Sequence, residues 1–281
     1  MEVSCPGTLA EAFDELAAFP ETVVLAGGTD LLVAINFGRE RPERVMSLRR
    51  LQELGELDQD GLVRCGARVT YARMLAELSD PVMRQAARTV GSPQIRNAGT
   101  LGGNLGTCSP AGDTLPALAA LDATVVLASP AGERRVPLTE FMRGPKRPDR
   151  RPDELVLGAE WQPAGVTQAF LKAGTRNAMV IAVANCALVV DPERRRVGVG
   201  LGSVGPVILR AAQAESFAAG LLEERDWVLP ATLPESAFVE FGRLASSAAQ
   251  PIDDVRGTAA YRRHLVAVMS RRALERVCAS A

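Results

Sequence analysis

The stretch GTLGGNLGTCSPAGD, residues 99–113, places five of the chain's 25 glycines in fifteen residues: Gly99, Gly102, Gly103, Gly106 and Gly112. Thr100, Asn104, Thr107, Ser109 and Asp113 are interleaved with them. A shorter pair lies upstream in AGGTDLL, where Gly27 and Gly28 precede Thr29 and Asp30. Glycine lets backbone N–H groups approach a ligand with no Cβ in the way. Successive exposed N–H groups form a concavity that binds anions such as phosphate. Thr29, Thr100, Asn104 and Thr107 add neutral donors, and Asp30 and Asp113 add acceptors suited to ribose or ribityl hydroxyls. A ligand carrying both a diphosphate and polyols would use this set. The spacing matches neither GxGxxG nor GxxxxGK[ST], which excludes the dinucleotide-fingerprint and P-loop readings. Tight turns alone would account for AGGTD. The longer stretch holds more glycine than a simple turn needs, and more than a helix or strand is expected to carry, so it is read as a loop.

Little else in the chain is built for acid–base or nucleophilic work. His264 is the only histidine; it lies on a helical pattern and is read as a solvated face. The five cysteines, Cys5, Cys65, Cys108, Cys186 and Cys278, are far apart and form no CxxC. Neither a zinc site nor an iron–sulfur cluster is expected here, so no catalytic residue and no metal ligand is assigned. Lone, scattered cysteines fit a reducing compartment. The first sixteen residues lack the basic-then-apolar pattern of a secretory signal, so a cytoplasmic location is expected. No apolar run is long enough to span a bilayer. The formal net charge of −1 gives no overall pull toward nucleic acid or an anionic membrane.

The elements that must position the glycines can be read from periodicity. LAEAFDELAAF, 9–19, is helical, capped by Thr8 with Glu11 three residues on and ended by Pro20. A strand over 22–26 then breaks into Gly27-Gly28, and RVMSLRRL is a further strand and turn. These form an N-terminal α/β unit, residues 1–55. Within 56–165 come a strand turning at Gly66, helices starting near Thr70 and Pro81, the glycine stretch, and a helix. A hairpin through PAG and a strand over ELVLGAEWQP complete this middle unit. KRPDRR, 146–151, is either a solvated loop or a docking surface for a partner. From 166 to 281 the pattern is antiparallel strands, VGVGLGSVG included, followed by helices. The last helix, 258–278, is amphipathic, with Leu265, Val268, Met269 and Leu274 on one side and Arg262, Arg263, Arg271 and Arg272 in solvent.

GSPQIRNAGTLGGNLGTCSPAGDTLPAL together with AGGTDLL resembles the flavin-binding subunit of the molybdenum hydroxylases, the xanthine dehydrogenase, carbon monoxide dehydrogenase and aldehyde oxidoreductase group. The resemblance extends over PDELV at 152–156, KAGTRNAMVIAVAN at 172–185 and PIDDVRGTAAYRRHL at 251–265, and so over nearly the whole chain. It implies an α+β protein in which two α/β subdomains enclose FAD and a C-terminal subdomain of antiparallel sheet and helices follows. Carried over residue by residue, Val24, Leu25, Ala26, Gly27, Gly28, Thr29, Asp30, Leu31 and Leu32 form the first loop around the diphosphate. Thr100, Leu101, Gly102, Gly103 and Asn104 form the second. Asp113 binds a hydroxyl of the cofactor, and Leu157 and Lys172 lie close to the flavin. Val90 falls where some relatives place an aromatic ring, so no stacking contact is expected there.

The resemblance implies electron transfer. A molybdenum-binding subunit with a molybdopterin-type cofactor oxidises the substrate. Electrons pass through an iron–sulfur subunit with [2Fe–2S] clusters to FAD, and from there to NAD or another acceptor. The cofactor carries the redox chemistry and the protein supplies binding and electrostatics, which agrees with the absence of a catalytic dyad. Lys172 beside the ring would stabilise reduced flavin by charge. The chain lacks the extra cysteine cluster of relatives that reduce thioester-linked aromatic substrates. Two other readings use the same residues: a free-standing FAD-dependent oxidoreductase, and a non-redox nucleotide-binding assembly module.

Overall fold

The computed structural model describes residues 1–279, a mixed α+β chain with three main sheets, each carrying its own helices. The first sheet is parallel, in the order Glu2–Ser4, Arg44–Ser47, Val23–Leu25. Helix Leu9–Ala18 crosses it and buries Ala12 and Leu16 in a cluster with Met46, Leu48, Leu51 and Leu54. Its start is fixed reciprocally: Thr8 Oγ1 accepts from the Glu11 N–H, and Glu11 Oε2 accepts from the Gly7 N–H. Strand Val23–Leu25 runs straight into AGGTD. That turn therefore sits at the carboxyl end of a parallel strand, the end at which open α/β sheets bind ligands.

The second sheet is antiparallel, in the order Leu57–Asp58, Val63–Gly66, Leu155–Trp161, Thr124–Ser129, Gly132–Pro137. The expected hairpin through the PAG turn is its outer pair. Against the expectation of a loop, the centre of the glycine stretch is a helix, Leu101–Thr107. Glycine costs about 0.8–1.0 kcal/mol relative to alanine inside a helix, so something must offset it. Thr100 caps the helix, its Oγ1 accepting from the Gly103 N–H at 3.0 Å. Leu101 and Leu105 are wholly buried in the main core. A Cβ on Gly102 would lie 2.5 Å from Ala67 Cβ, so glycine there is what lets the helix seat against the second sheet. Cys108 ends the helix in the left-handed region at φ 51°.

The third sheet runs Gln168–Ala173, Ala184–Asp191, Arg196–Gly202, Leu209–Arg210, all antiparallel. Helix Thr114–Ala120 lies across strand Arg196–Gly202. Gly198 and Gly200, both on one face of the strand by its period of two, would place a Cβ 2.0 Å from the carbonyl oxygens of Ala120 and Pro116. The alternating glycines of VGVGLG thus admit a helix backbone, and they set Asp113, which precedes that helix, against the third sheet.

Helices Ala212–Glu223, Glu235–Ser247 and Ala259–Ala279 cover the other face of that sheet. On the last of them Met269 and Leu274 are buried and His264 is exposed, as expected. Arg262 is not in solvent: it is 2% exposed. Its Nη1 donates to Val183 O and Ser203 O, and its Nη2 donates to Asp254 Oδ1. Polarity alone places a charged helix residue in solvent, whereas here buried carbonyl and carboxylate acceptors hold the guanidinium inside. Two of its three acceptors, Val183 O and Ser203 O, come from distant segments that a single helical pattern does not reveal.

Candidate functional site

The two glycine segments meet. A cavity of about 900 Å³ opens between the first parallel sheet and the glycine helix, near the top of the range of roughly 300–1,000 Å³ usual for cofactor sites. Val24, Leu25, Ala26, Gly27, Gly28, Thr29, Asp30 and Leu31 line one side. Thr100, Gly102, Gly103 and Asn104 line the other, with Asp113 deeper. Thr107 Oγ1, on the helix, lies 3.5 Å from Asp30 Oδ2, on the first turn.

The two turns differ in what they offer. Among the described residues, no hydrogen bond uses the N–H groups of Gly27, Gly28, Thr29 or Asp30, so four consecutive donors are available. Gly28, at φ 73°, holds the left-handed conformation that bends the turn. In the second segment the expected amides are already taken. Leu101 N donates to Val69 O, Gly102 N to Ala67 O, Gly103 N to Thr100 Oγ1 and Asn104 N to Thr100 O. The cause is the helix itself and its contact with the neighbouring sheet. What this segment offers instead is side chains and room: the Thr100 hydroxyl proton, Asn104 Nδ2, and the missing Cβ of Gly103, which faces Ala26 Cβ at 3.7 Å. Asn104 is oriented by Thr114, whose Oγ1 donates to Asn104 Oδ1 at 2.7 Å.

Asp113 and Lys172 are partners of each other. Lys172 Nζ donates to Asp113 Oδ2 at 2.5 Å and to Thr89 O at 3.1 Å. Asn185 Nδ2 donates to Asp113 Oδ1 at 3.0 Å and Thr89 Oγ1 to Asp113 Oδ2 at 3.2 Å. Both side chains of the pair are over nine-tenths buried. Burial pushes the Asp113 carboxyl above the ordinary carboxylate range, against the opposing pull of the Lys172 ammonium and these hydrogen bonds. The lysine charge is thus matched inside the protein. Lys172 lines a neighbouring pocket and not the large cavity.

Three more of the expected residues lie off the cavity wall. Leu32 points outward, 44% exposed, Leu101 is committed to the core, and Leu157 packs beside the N-terminal cluster while its carbonyl accepts from Ala67 N. In each case the side chain follows the period of its helix or strand, and a contiguous motif cannot show that. The cavity also takes residues the sequence reading missed. Tyr71 lines it, and Thr22, 5% exposed, contributes a buried Oγ1 with no hydrogen-bond partner. Lys146 and Arg150 of the KRPDRR segment reach its edge. That loop is tied to the glycine helix, Lys146 N donating to Cys108 O at 3.1 Å. Arg150 is half-buried and bonds the carbonyls of Arg151, Pro152 and Glu154, with no carboxylate at ion-pair distance. Charge runs beside a turn are a usable signal, but only the fold shows that this one folds back to the cavity.

These groups fit a dinucleotide. Four free amides, two unpaired cations at the rim and an orphaned buried hydroxyl are donors that an oxygen-rich anion would satisfy. Among the described residues, no group of histidine, cysteine, aspartate or glutamate could hold a metal, and no helix is long and apolar enough to cross a membrane.

Comparison with known proteins agrees. Residues 1–160 match the FAD binding domain in molybdopterin dehydrogenase, and residues 168–277 match the CO dehydrogenase flavoprotein C-terminal domain. The chain is 34% identical to the nicotinate dehydrogenase FAD-subunit of Eubacterium barkeri, over 83% of this chain and 84% of that one. It is 30% identical to the glyceraldehyde dehydrogenase medium chain of Sulfolobus acidocaldarius, over 96% of this chain and 95% of that one. Among solved structures, a chain of quinoline 2-oxidoreductase from Pseudomonas putida 86 superimposes with a TM-score of 0.88 at 26% identity, covering 99% of this chain and 96% of that one. A chain of reconstituted CO dehydrogenase from Oligotropha carboxidovorans does so with a TM-score of 0.89 at 26% identity, covering 100% and 98%. The chain therefore belongs to the FAD-binding domain family of the molybdopterin dehydrogenases, as an FAD-binding medium subunit of a molybdenum hydroxylase.

Proposed function

We propose that this subunit passes electrons, one or two at a time, from iron–sulfur clusters on a partner subunit to an external acceptor, the substrate being oxidised on a molybdenum-binding subunit. The observation that carries this reading is the row of four unpaired amides, Gly27 to Asp30, on a turn that lines one cavity together with the glycine helix. FAD, when bound, supplies the redox chemistry. The amides of the first turn hold the diphosphate, with Lys146 and Arg150 adding positive charge at its edge. Gly103 presents bare backbone to the dinucleotide on the cavity wall, and Thr29, Asp30, Thr100 and Asn104 engage hydroxyls and phosphate oxygens. Asp113, fixed by Lys172, Asn185 and Thr89, presents an oriented edge to the inner end of the cavity. Lys172 acts through Asp113, and its charge reaches the flavin only as half of a neutral pair. The division into 1–55, 56–165 and 166–281 belongs to the same proposal: the first two units form the cavity walls, and the third backs Asp113.

A free-standing oxidoreductase and a non-redox nucleotide module are separated from this reading by co-purification. Expression with neighbouring subunits should yield a yellow-brown complex containing iron and molybdenum. A flavoprotein without metals would favour the free-standing enzyme, and a colourless chain that gains no flavin band with added FAD would favour the nucleotide module.

A further inference from the structure

Among the described residues that line the large cavity, Tyr71 is the only aromatic one. It opens helix Tyr71–Glu77, which Thr70 caps by accepting from the Arg73 N–H at 3.2 Å. The Tyr71 N–H donates to Gly99 O at 3.1 Å, and Thr70 pairs with Thr100 as an isolated antiparallel bridge. A Cβ on Gly99 would lie 2.8 Å from Tyr71 Cε2. The bare backbone of Gly99 is therefore what lets the ring lie against the entry to the glycine helix. Tyr71 is 6% exposed. Burial, and after it the charge of Asp113, push the phenol above its ordinary range, against a hydrogen bond with Thr114. Tyr71 is thus a fixed, neutral, electron-rich ring on the cavity wall.

The walls of the cavity differ in chemistry. With Tyr71, the middle unit contributes Val90, Ile95 and Val156, an apolar surface suited to a fused aromatic ring. The N-terminal unit contributes Glu21 and Glu40, acceptors suited to ribose hydroxyls and an exocyclic amine. A dinucleotide whose diphosphate sits on the free amides of Gly27 to Asp30 has one half to offer each wall. We propose that Tyr71 receives the flavin ring: contact with its phenol holds that half of the cofactor and selects flavin for this wall. The inference rests on the reading that FAD fills the cavity.

The test is flavin fluorescence. A phenol in contact with a flavin quenches it, because the excited ring takes an electron from the phenol and then returns it. A phenyl ring is too poor a donor to do so. The FAD-loaded subunit, with flavin content first matched by absorbance, should be nearly dark. Tyr71→Phe keeps the ring and its packing but not the electron donor. Emission should rise at least fivefold, while FAD affinity by equilibrium dialysis stays within threefold. Tyr71→Ala removes the ring: emission should rise as much, and FAD should bind at least fivefold more weakly. Tyr71→Phe decides alone if Tyr71→Ala fails to fold. Unchanged emission in Tyr71→Phe, or unchanged affinity in a folded Tyr71→Ala, overturns the proposal. A parent that binds FAD and fluoresces strongly also overturns it and leaves the flavin reading standing. A chain that takes up no FAD defeats the flavin reading, and this contact with it.

Discussion

A Cβ on Gly27 would lie 1.9 Å from the carbonyl oxygen of Ala98. The first glycine turn thus presses directly on the chain that leads into the glycine helix, 71 positions later. The convergence of the two segments is fixed by backbone contact. Gly27→Ala forces them apart: folding stability should fall by about 1–3 kcal/mol, the usual cost of overpacking, and FAD affinity should fall with it. Denaturant titration and flavin retention on gel filtration measure the two effects. A variant as stable as the parent would show that the turns do not bear on each other.

Gly103 separates binding from folding. A Cβ there meets only Thr100 Oγ1 at 3.2 Å and Ala26 Cβ at 3.7 Å, so Gly103→Val should leave the unfolding midpoint nearly unchanged and abolish flavin retention. Gly106, in the same helix, has nothing within 4 Å of an added Cβ. Gly106→Ala should keep FAD and gain about 0.5–1 kcal/mol from helix propensity. Equal flavin content in both variants would remove Gly103 from the site.

The buried pair makes a prediction with a pH sign. Burial holds the Asp113 carboxyl above its unfolded value of 3.8. This group therefore favours folding fully below that value, and the contribution is lost as pH rises through the folded pKa. Lys172→Met leaves the carboxylate buried without its cation, which should cost about 3–5 kcal/mol at neutral pH. The loss should shrink on acidification, as Asp113 takes up a proton. Adding Asp113→Asn to Lys172→Met should recover most of it. Denaturation at neutral and mildly acid pH gives the comparison, and a deficit that does not change with pH would contradict the pairing.

Arg262 joins three segments of the third unit. Arg262→Met strands the carbonyls of Val183 and Ser203 and removes one cation from Asp254. Asp254 keeps its pair with Arg256, so the cost is that of the two stranded carbonyls, about 1–3 kcal/mol each. Chemical denaturation should show a loss of that order, and one below ~1 kcal/mol would mean the arginine is dispensable.

Local chemistry made much of this readable in advance. Thr8 with Glu11, Thr70 and Pro81 start helices where their side chains predict, and the PAG hairpin forms as alternation requires. The glycine helix was hidden because its warrant, the close seat of Gly102 on Ala67, lies in another segment. Lys172 and Asp113 were both legible as site residues, but not as partners, since 59 positions separate them. The amides of Leu101 and Gly102 are exhausted for the same reason: their acceptors, Val69 O and Ala67 O, lie just past strand Val63–Gly66, in a segment that no motif names.

The free amides of the first turn are the proposed seat of the diphosphate. A crystal structure of the subunit with FAD tests this most directly. It should show diphosphate oxygens at about 2.7–3.2 Å from backbone nitrogens within Gly27 to Asp30, with the dinucleotide running past Gly103. A diphosphate bound elsewhere, with those amides facing water, would contradict it.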